Sequence, residues 1–274
     1  MEIALPNDRR RFGTALLGLR LQIRVVGALI RRETRAHFGE LRLGYLWAII
    51  EPSAHLAAYA LLFTYVLKRH SPLGGNLVLF MLTGLFTYFL YSKQSTYLAG
   101  AIDENRSLLN LPPVKPFDVL IARCILEAAT YLIVGCVLFS FLILNGVSEA
   151  IPYRPLAVMA VLAGMTGLGF GVGVINAIIR VFIRNWMTIY GIVLSPIFLL
   201  SGIWFLPAAI PAPYRDYLLY NPVMHYIMWA RSGFYRGYDP IELDRGYAVS
   251  CSAVAVVSGL ILLRVLRRKL LEPI

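Results

Sequence analysis

The chain has 274 residues, of which 58% are hydrophobic and 15% charged, and it carries a formal net charge of +11. So much apolar surface does not suit a water-soluble domain of this size, and the bilayer is the expected solvent. A nucleic-acid partner does not explain the positive charge, because Lys and Arg lie between long apolar runs and form no basic face interleaved with stacking aromatics. A positive-inside bias explains it more simply.

The first residues, MEIALPNDRRRFG, lack the short apolar core and cleavage site of a signal peptide, so the first span is expected to insert uncleaved. In segment 1–43, Leu19, Ile23, Val26 and Ile30 recur at helical spacing, and Arg20, Arg24, Arg31 and Arg35 share another face. The pattern suits a basic helix lying on the cytoplasmic membrane surface. A plain anchor to anionic lipid would give the same pattern.

A helix needs about 20 apolar residues to cross the hydrocarbon core. Six runs qualify, 44–67, 77–99, 119–144, 156–179, 187–206 and 247–266, giving an all-α integral membrane protein with a transmembrane domain over 44–266. Arginines crowd the N-terminal segment, and Arg264, Arg267, Arg268 and Lys269 flank the short tail 267–274, so both ends are expected in the cytoplasm. The loops then placed outside are poorer in charge, with Lys68 and Arg69 in one and Arg154 in another.

Charges within spans are costly and call for a partner or a function. Glu51, Lys93, Arg123 and Glu127 each lie roughly 7 to 14 Å from the cytoplasmic end of their helices, so mutual pairing is expected, with Glu51 held by Lys93 or Arg123. A structural clamp near the inner leaflet accounts for the same four residues. In the fourth span Gly164, Gly167, Gly169, Gly171 and Gly173 allow close helix packing, within the chain or between two copies. Segment 207–246 is long for a loop. Its apolar middle, 217–230, is too short to span, and Pro211, Pro213 and Pro222 suit two short re-entrant helices at the outer face.

No GxxxxGK[ST] loop, HExxH or GxSxG occurs, so no catalytic site and no cofactor or metal is expected in this chain. Cys124, Cys136 and Cys251 read as small buried hydrophobes. His37, His55, His70 and His225 are scattered and read as satisfied or interfacial. A secondary transporter would want midplane charges and an internal repeat, and neither is evident. For a glycosyltransferase, Asp103 with Glu104 is too thin a carboxylate cluster to hold a metal.

Several stretches resemble the permease subunits of type-2 ABC exporters, above all those exporting capsular polysaccharide and, closely related, lipid-linked O-antigen. These are Arg32, Arg35 and Gly39, then Leu43-Gly44-Tyr45-Leu46-Trp47 and Glu51-Pro52; Asn105-Arg106-Ser107-Leu108-Leu109 followed by Pro112-Pro113-Val114-Lys115-Pro116; and Ser201-Gly202-Ile203-Trp204 with Asn221-Pro222, His225, Arg231 and Tyr238. The resemblance implies a homodimer in the bacterial inner membrane, each copy docking a separate subunit that binds ATP and Mg. It further implies a polymer conduit between the copies, and periplasmic and outer-membrane export components beyond. It makes the N-terminal helix an interface helix and 100–118 a coupling segment, with Asp103, Glu104, Asn105, Arg106, Pro112 and Pro113 meeting the ATPase. It points to Tyr59, Phe63, Tyr190, Phe198 and Trp204 as conduit aromatics packing on sugar rings, although interfacial Tyr and Trp often merely belt a membrane. Arg231 and Arg236 are expected to meet the carboxylates of an acidic glycan, and Tyr214, Tyr217, Tyr226 and Trp229 to close the exit.

Overall fold

The computed structural model describes residues 7–38, 50, 53–59, 61–66, 70–109 and 114–271. Among them all regular structure is helical. In chain order α1 is Asn7–Phe38, α2 is 53–59 followed by a π-helical turn at Leu62–Val66, and α3 is Leu77–Ala99. Two short helices, α4 (Ala101–Glu104) and α5 (Arg106–Leu109), precede α6 (Pro116–Leu144), α7 (Pro155–Phe182) and α8 (Trp186–Leu200). After them come α9 (Tyr214–Leu218), α10 (Pro222–Phe234) and α11 (Arg245–Leu271).

Three of these helices, α6, α7 and α11, are long and apolar enough to cross a membrane. The expected span 77–99 coincides with α3, whose first turn is fixed by Asn76: its side-chain oxygen accepts from the N–H groups of Val78 at 2.8 Å and Leu79 at 3.2 Å. Pro116, Pro155 and Pro222 begin α6, α7 and α10, where the missing proline N–H costs no helical bond. Of the first expected span, residues 44–49, 51–52, 60 and 67 lie outside the described residues, as does the motif at 43–47.

The fifth expected span is shortened. It was expected to reach residue 206, but α8 stops at Leu200, and Gly202 adopts a left-handed φ of 74°. The carbonyls freed there are claimed by a buried arginine, as described below. The long connection after α8 contains two helices, α9 and α10, with Asn221 at the break between them; its side chain accepts from Val223 N–H at 3.0 Å.

α3 is the central helix, buried on nearly all sides, as its apolar circumference requires. Apolar packing forms two clusters. One joins the first half of α3 with α7, α10 and Ile203; the other joins α1, α4, the start of α6 and the ends of α7 and α11.

The glycines of α7 serve contacts inside the chain. A Cβ on Gly171 would stand 2.4 Å from the Ala255 carbonyl carbon on α11, one on Gly173 2.8 Å from Leu98 on α3, and one on Gly164 2.4 Å from Tyr226 on α10. Gly167 meets nothing within 4 Å. Replacing Gly171 by Val should therefore force α7 and α11 apart and destabilise the fold by about 1–3 kcal/mol. Gly167→Ala should be neutral or slightly stabilising; thermal unfolding in detergent distinguishes the two.

Candidate functional site

The cytoplasmic end expected from charge is built around Arg123 on α6, which is 4% exposed. Its Nε donates to Glu33 Oε2 at 3.1 Å and its Nη2 to Glu104 Oε2 at 2.8 Å. Nη1 reaches the Tyr97 carbonyl at 3.2 Å, and the guanidinium lies 4.8 Å from the Tyr97 ring centroid. So deeply buried a cation requires anionic partners, and it has two.

Glu33 comes from α1 and is 3% exposed. It also accepts from Asn105 Nδ2 at 2.9 Å and from the Tyr97 hydroxyl at 3.2 Å, and Asn105 Oδ1 in turn accepts from Arg32. Farther along α1, Gln22 donates to Asp118 Oδ1 at 2.8 Å. The protein-facing stripe of α1 is therefore Gln22, Val26, Leu29 and Glu33, at heptad spacing. Of the apolar residues expected on the membrane face, Ile23 points away from the protein, 62% exposed, whereas Val26 and Ile30 pack against it.

Asp103 and Glu104 turn towards Arg180 at the end of α7, at 3.5 and 3.6 Å, and Arg106 approaches Asp103 at 3.7 Å. These outer pairs are partly solvated and individually weak. Together with Arg123 they tie α1, α4, α6 and α7 at the segment that ends α3. Glu51, Pro112 and Pro113 lie outside the described residues. Arg123 is engaged by Glu33 and Glu104, Glu127 is buried one turn further along α6, and Lys93 lines the groove described next.

That groove holds about 500 Å³ between α2, α3 and α8, lined by Tyr59, Tyr88, Phe89, Lys93 and Phe198 among others. Its rings and their neighbours touch in series: Tyr59 to Phe198 at 5.8 Å and Tyr88 to Phe198 at 5.0 Å, then, beside the groove, Phe198 to Trp204 at 5.4 Å and Trp204 stacked on Phe63 at 4.4 Å. Four of the five expected conduit aromatics thus share one cluster. Tyr190 does not join it, because its buried hydroxyl is bound to Ser95 Oγ at 2.7 Å and Tyr91 at 3.3 Å. Tyr88 and Phe89 were not foreseen, since α3 was read only as a span.

Arg231 is fully buried, at 0% exposure, and does not face outward from the loop as expected. Its guanidinium sits 3.7 Å from the Phe80 ring centroid and donates to the carbonyls of Gly202 at 2.7 Å and Ile203 at 2.8 Å. It seals the broken end of α8. Arg236, by contrast, is exposed over the Tyr153 ring at 4.7 Å, on a cavity of about 600 Å³ that also includes Glu149 and Tyr235.

Trp229 stacks on Tyr226, whose hydroxyl is 2.7 Å from Ser252 Oγ, while Tyr214 and Tyr217 are exposed. His225 is satisfied on both nitrogens, by the Leu219 carbonyl at 2.8 Å and the Asp244 N–H at 3.1 Å. Outside the spans, the forked guanidinium of Arg154 donates to both oxygens of Asp239, at 3.0 and 3.1 Å, and holds that carboxyl below its usual range. All three cysteines are free thiols; Cys124 is buried but Cys136 is exposed on α6, unlike the buried position expected for it.

A buried charge network beside an aromatic groove, among described elements that are all helical and include membrane-length helices, fits a transport protein. The profile of the ABC-2 type transporter family matches residues 24–235, and the chain belongs to that family. It is similar to the polysialic acid transport protein KpsM of Escherichia coli, 34% identical over 90% of this chain and 95% of that protein. It is also similar to the capsule polysaccharide export inner-membrane protein CtrC of Neisseria meningitidis serogroup A, 29% identical over 89% and 92% of the two chains. The O-antigen export system permease protein RfbA of Myxococcus xanthus is 35% identical, but over only 30% of each chain.

The charge network yields a thermodynamic expectation. Arg123→Met should destabilise the protein by about 3–5 kcal/mol because it leaves Glu33 buried without its cation. Combining it with Glu33→Gln should cost clearly less than the sum of the two single changes. Simple additivity in thermal unfolding would mean that the two side chains do not depend on each other.

Proposed function

We propose that this chain is the membrane-spanning permease of an ATP-driven exporter of capsular polysaccharide. The observation that carries this is the aromatic groove: sugar rings present apolar C–H faces that pack on Tyr59, Tyr88, Phe89 and Phe198, and packing of that kind lets a repeating polymer slide without a deep pocket. Lys93 at the groove wall adds a cation suited to an acidic glycan, and the relative KpsM is named for an acid polymer. Arg236, exposed over Tyr153, offers a second cation. The polymer is proposed to travel on a lipid anchor.

The ATPase is assigned to a separate subunit that binds ATP and Mg, because the sequence has no phosphate-binding loop. Two permeases with two such subunits form the proposed complex, in series with periplasmic and outer-membrane components. Six spans with both termini in the cytoplasm place α4 and α5 where the ATPase docks and make α9 and α10 a re-entrant pair at the outer face. Lipid-linked O-antigen export is the second reading, favoured by the partial likeness to RfbA.

Replacing Tyr59 and Phe198 together by Leu should preserve insertion and ATPase binding while lowering surface polysaccharide by at least about tenfold, as lost ring contacts would require. Normal surface polysaccharide in that variant would sink the groove as the path. Arg236→Gln should weaken export of acidic polymers more than neutral ones; equal loss for both would remove this residue from the route. Reporter fusions should place residue 115 in the cytoplasm and residue 154 outside. The reverse result would invert the proposed orientation.

A further inference from the structure

Where α6 begins and α11 nears its end, the two helices enclose a cavity of about 220 Å³. Its walls are of two kinds. Phe117, Leu260 and Leu263 give apolar surface, while Lys115, Arg264 and Arg267 give three cations, and among the described residues no acid lines it. None of these cations has a carboxylate partner among the described residues. Asp118, the acid nearest Lys115 in the sequence, has its oxygens engaged by the Lys115 N–H at 3.0 Å and by Gln22 at 2.8 Å, and Glu272, nearest to Arg267, lies outside the described residues.

The arrangement is not simply a basic tail. Leu260, Leu263, Arg264 and Arg267 follow one another at offsets of three, four and seven, so they share one face of α11, which passes from apolar to cationic towards its C-terminus. Lys115 meets that face from a different element. The cavity also lies beside lipid-accessible surface, since α11 is apolar enough to span and little of it is buried within the chain.

We propose that this cavity holds the head group of an anionic phospholipid, its phosphate against Lys115, Arg264 and Arg267 and the first methylenes of its acyl chains against Phe117, Leu260 and Leu263. Basic pockets between spanning helices on the cytoplasmic side suit such head groups. Placement in the inner leaflet rests on the topology proposed above. The apolar wall selects a lipid over a free phosphate, which would leave Leu260 and Phe117 without a partner.

The test uses the purified full chain in nonionic detergent, titrated with phosphatidylglycerol, phosphatidylcholine or glycerol phosphate while thermal unfolding is followed. Phosphatidylglycerol should raise the midpoint, and neither of the other two should. In the triple variant Lys115→Gln, Arg264→Gln, Arg267→Gln the half-saturating phosphatidylglycerol concentration should rise about tenfold or more. The control Arg268→Gln, Lys269→Gln removes neighbouring tail charges that do not line the cavity and should behave as wild type. Should the triple variant not purify, Arg267→Gln alone should show a smaller shift in the same direction.

Equal weakening in the control would mean diffuse attraction to the tail and would overturn the site. An equal response to glycerol phosphate would make it a free-anion site, and an equal response to phosphatidylcholine would remove the role of charge; either overturns the proposal. A C-terminal reporter read outside the cytoplasm would overturn the leaflet assignment separately, because lipid binding in detergent does not depend on topology or export.

Discussion

A carbonyl released where a helix stops within an apolar medium has no water to accept from, so every interruption of a spanning helix must be matched by a donor from elsewhere in the protein. The end of α8, at residues 201–203, is likewise buried away from water, and Arg231 supplies the donors. Its forked guanidinium reaches two successive carbonyls and lies against the Phe80 ring, which ties α10 to both α8 and α3. Lysine has a single point of charge and could not span the same set. Arg231 thus fixes α10 against α8 and α3 alongside the apolar packing of Val223, Tyr226 and Ile227.

The charge-rich end of the helices solves a related problem with ion pairs. Arg123 is too buried to stand alone, and it recruits one carboxylate from α1 and another from α4. α3 runs directly from the aromatic groove, at Tyr88 and Lys93, through Tyr97 to the break at Gly100 and into α4. With a rise of about 1.5 Å per residue, the groove and the charge network lie within a few turns of each other on one rigid element. A displacement of α4 therefore has a short mechanical route to the groove wall.

Much of the membrane frame was legible in the sequence because hydropathy reports burial and lipid contact alike. Runs 77–99, 119–144 and 156–179 all appear as helices. Counting apolar residues on α1 passed over Glu33, although Glu33 continues the stripe of Val26 and Leu29 by one turn. A carboxylate on the packed face of a basic helix is a signal, and it would have led to Arg123. Arg231 was placed by the company of its loop, and no local pattern reveals that carbonyls from residues 202 and 203 surround it. Those contacts depend on the premature end of α8, which hydropathy does not register. Tyr88 and Phe89 were hidden for the opposite reason, since aromatic residues inside a long apolar run look like core.

The contact between α7 and α11 bears on how freely this sequence can drift. Over most of its perimeter α11 is not buried within the chain, and lipid tails accept Val, Leu, Ile or Phe with little discrimination. At Ala255 and Gly259 the backbone of α7 comes close: a Cβ on Gly259 would lie 3.0 Å from the Gly171 carbonyl oxygen. Homologous chains should thus vary almost at random among apolar residues on the outer faces of α11 and hold small residues at these two positions. Selection on the helix is concentrated in one narrow strip, and a substitution there has to be answered on α7 before the outer faces register any change.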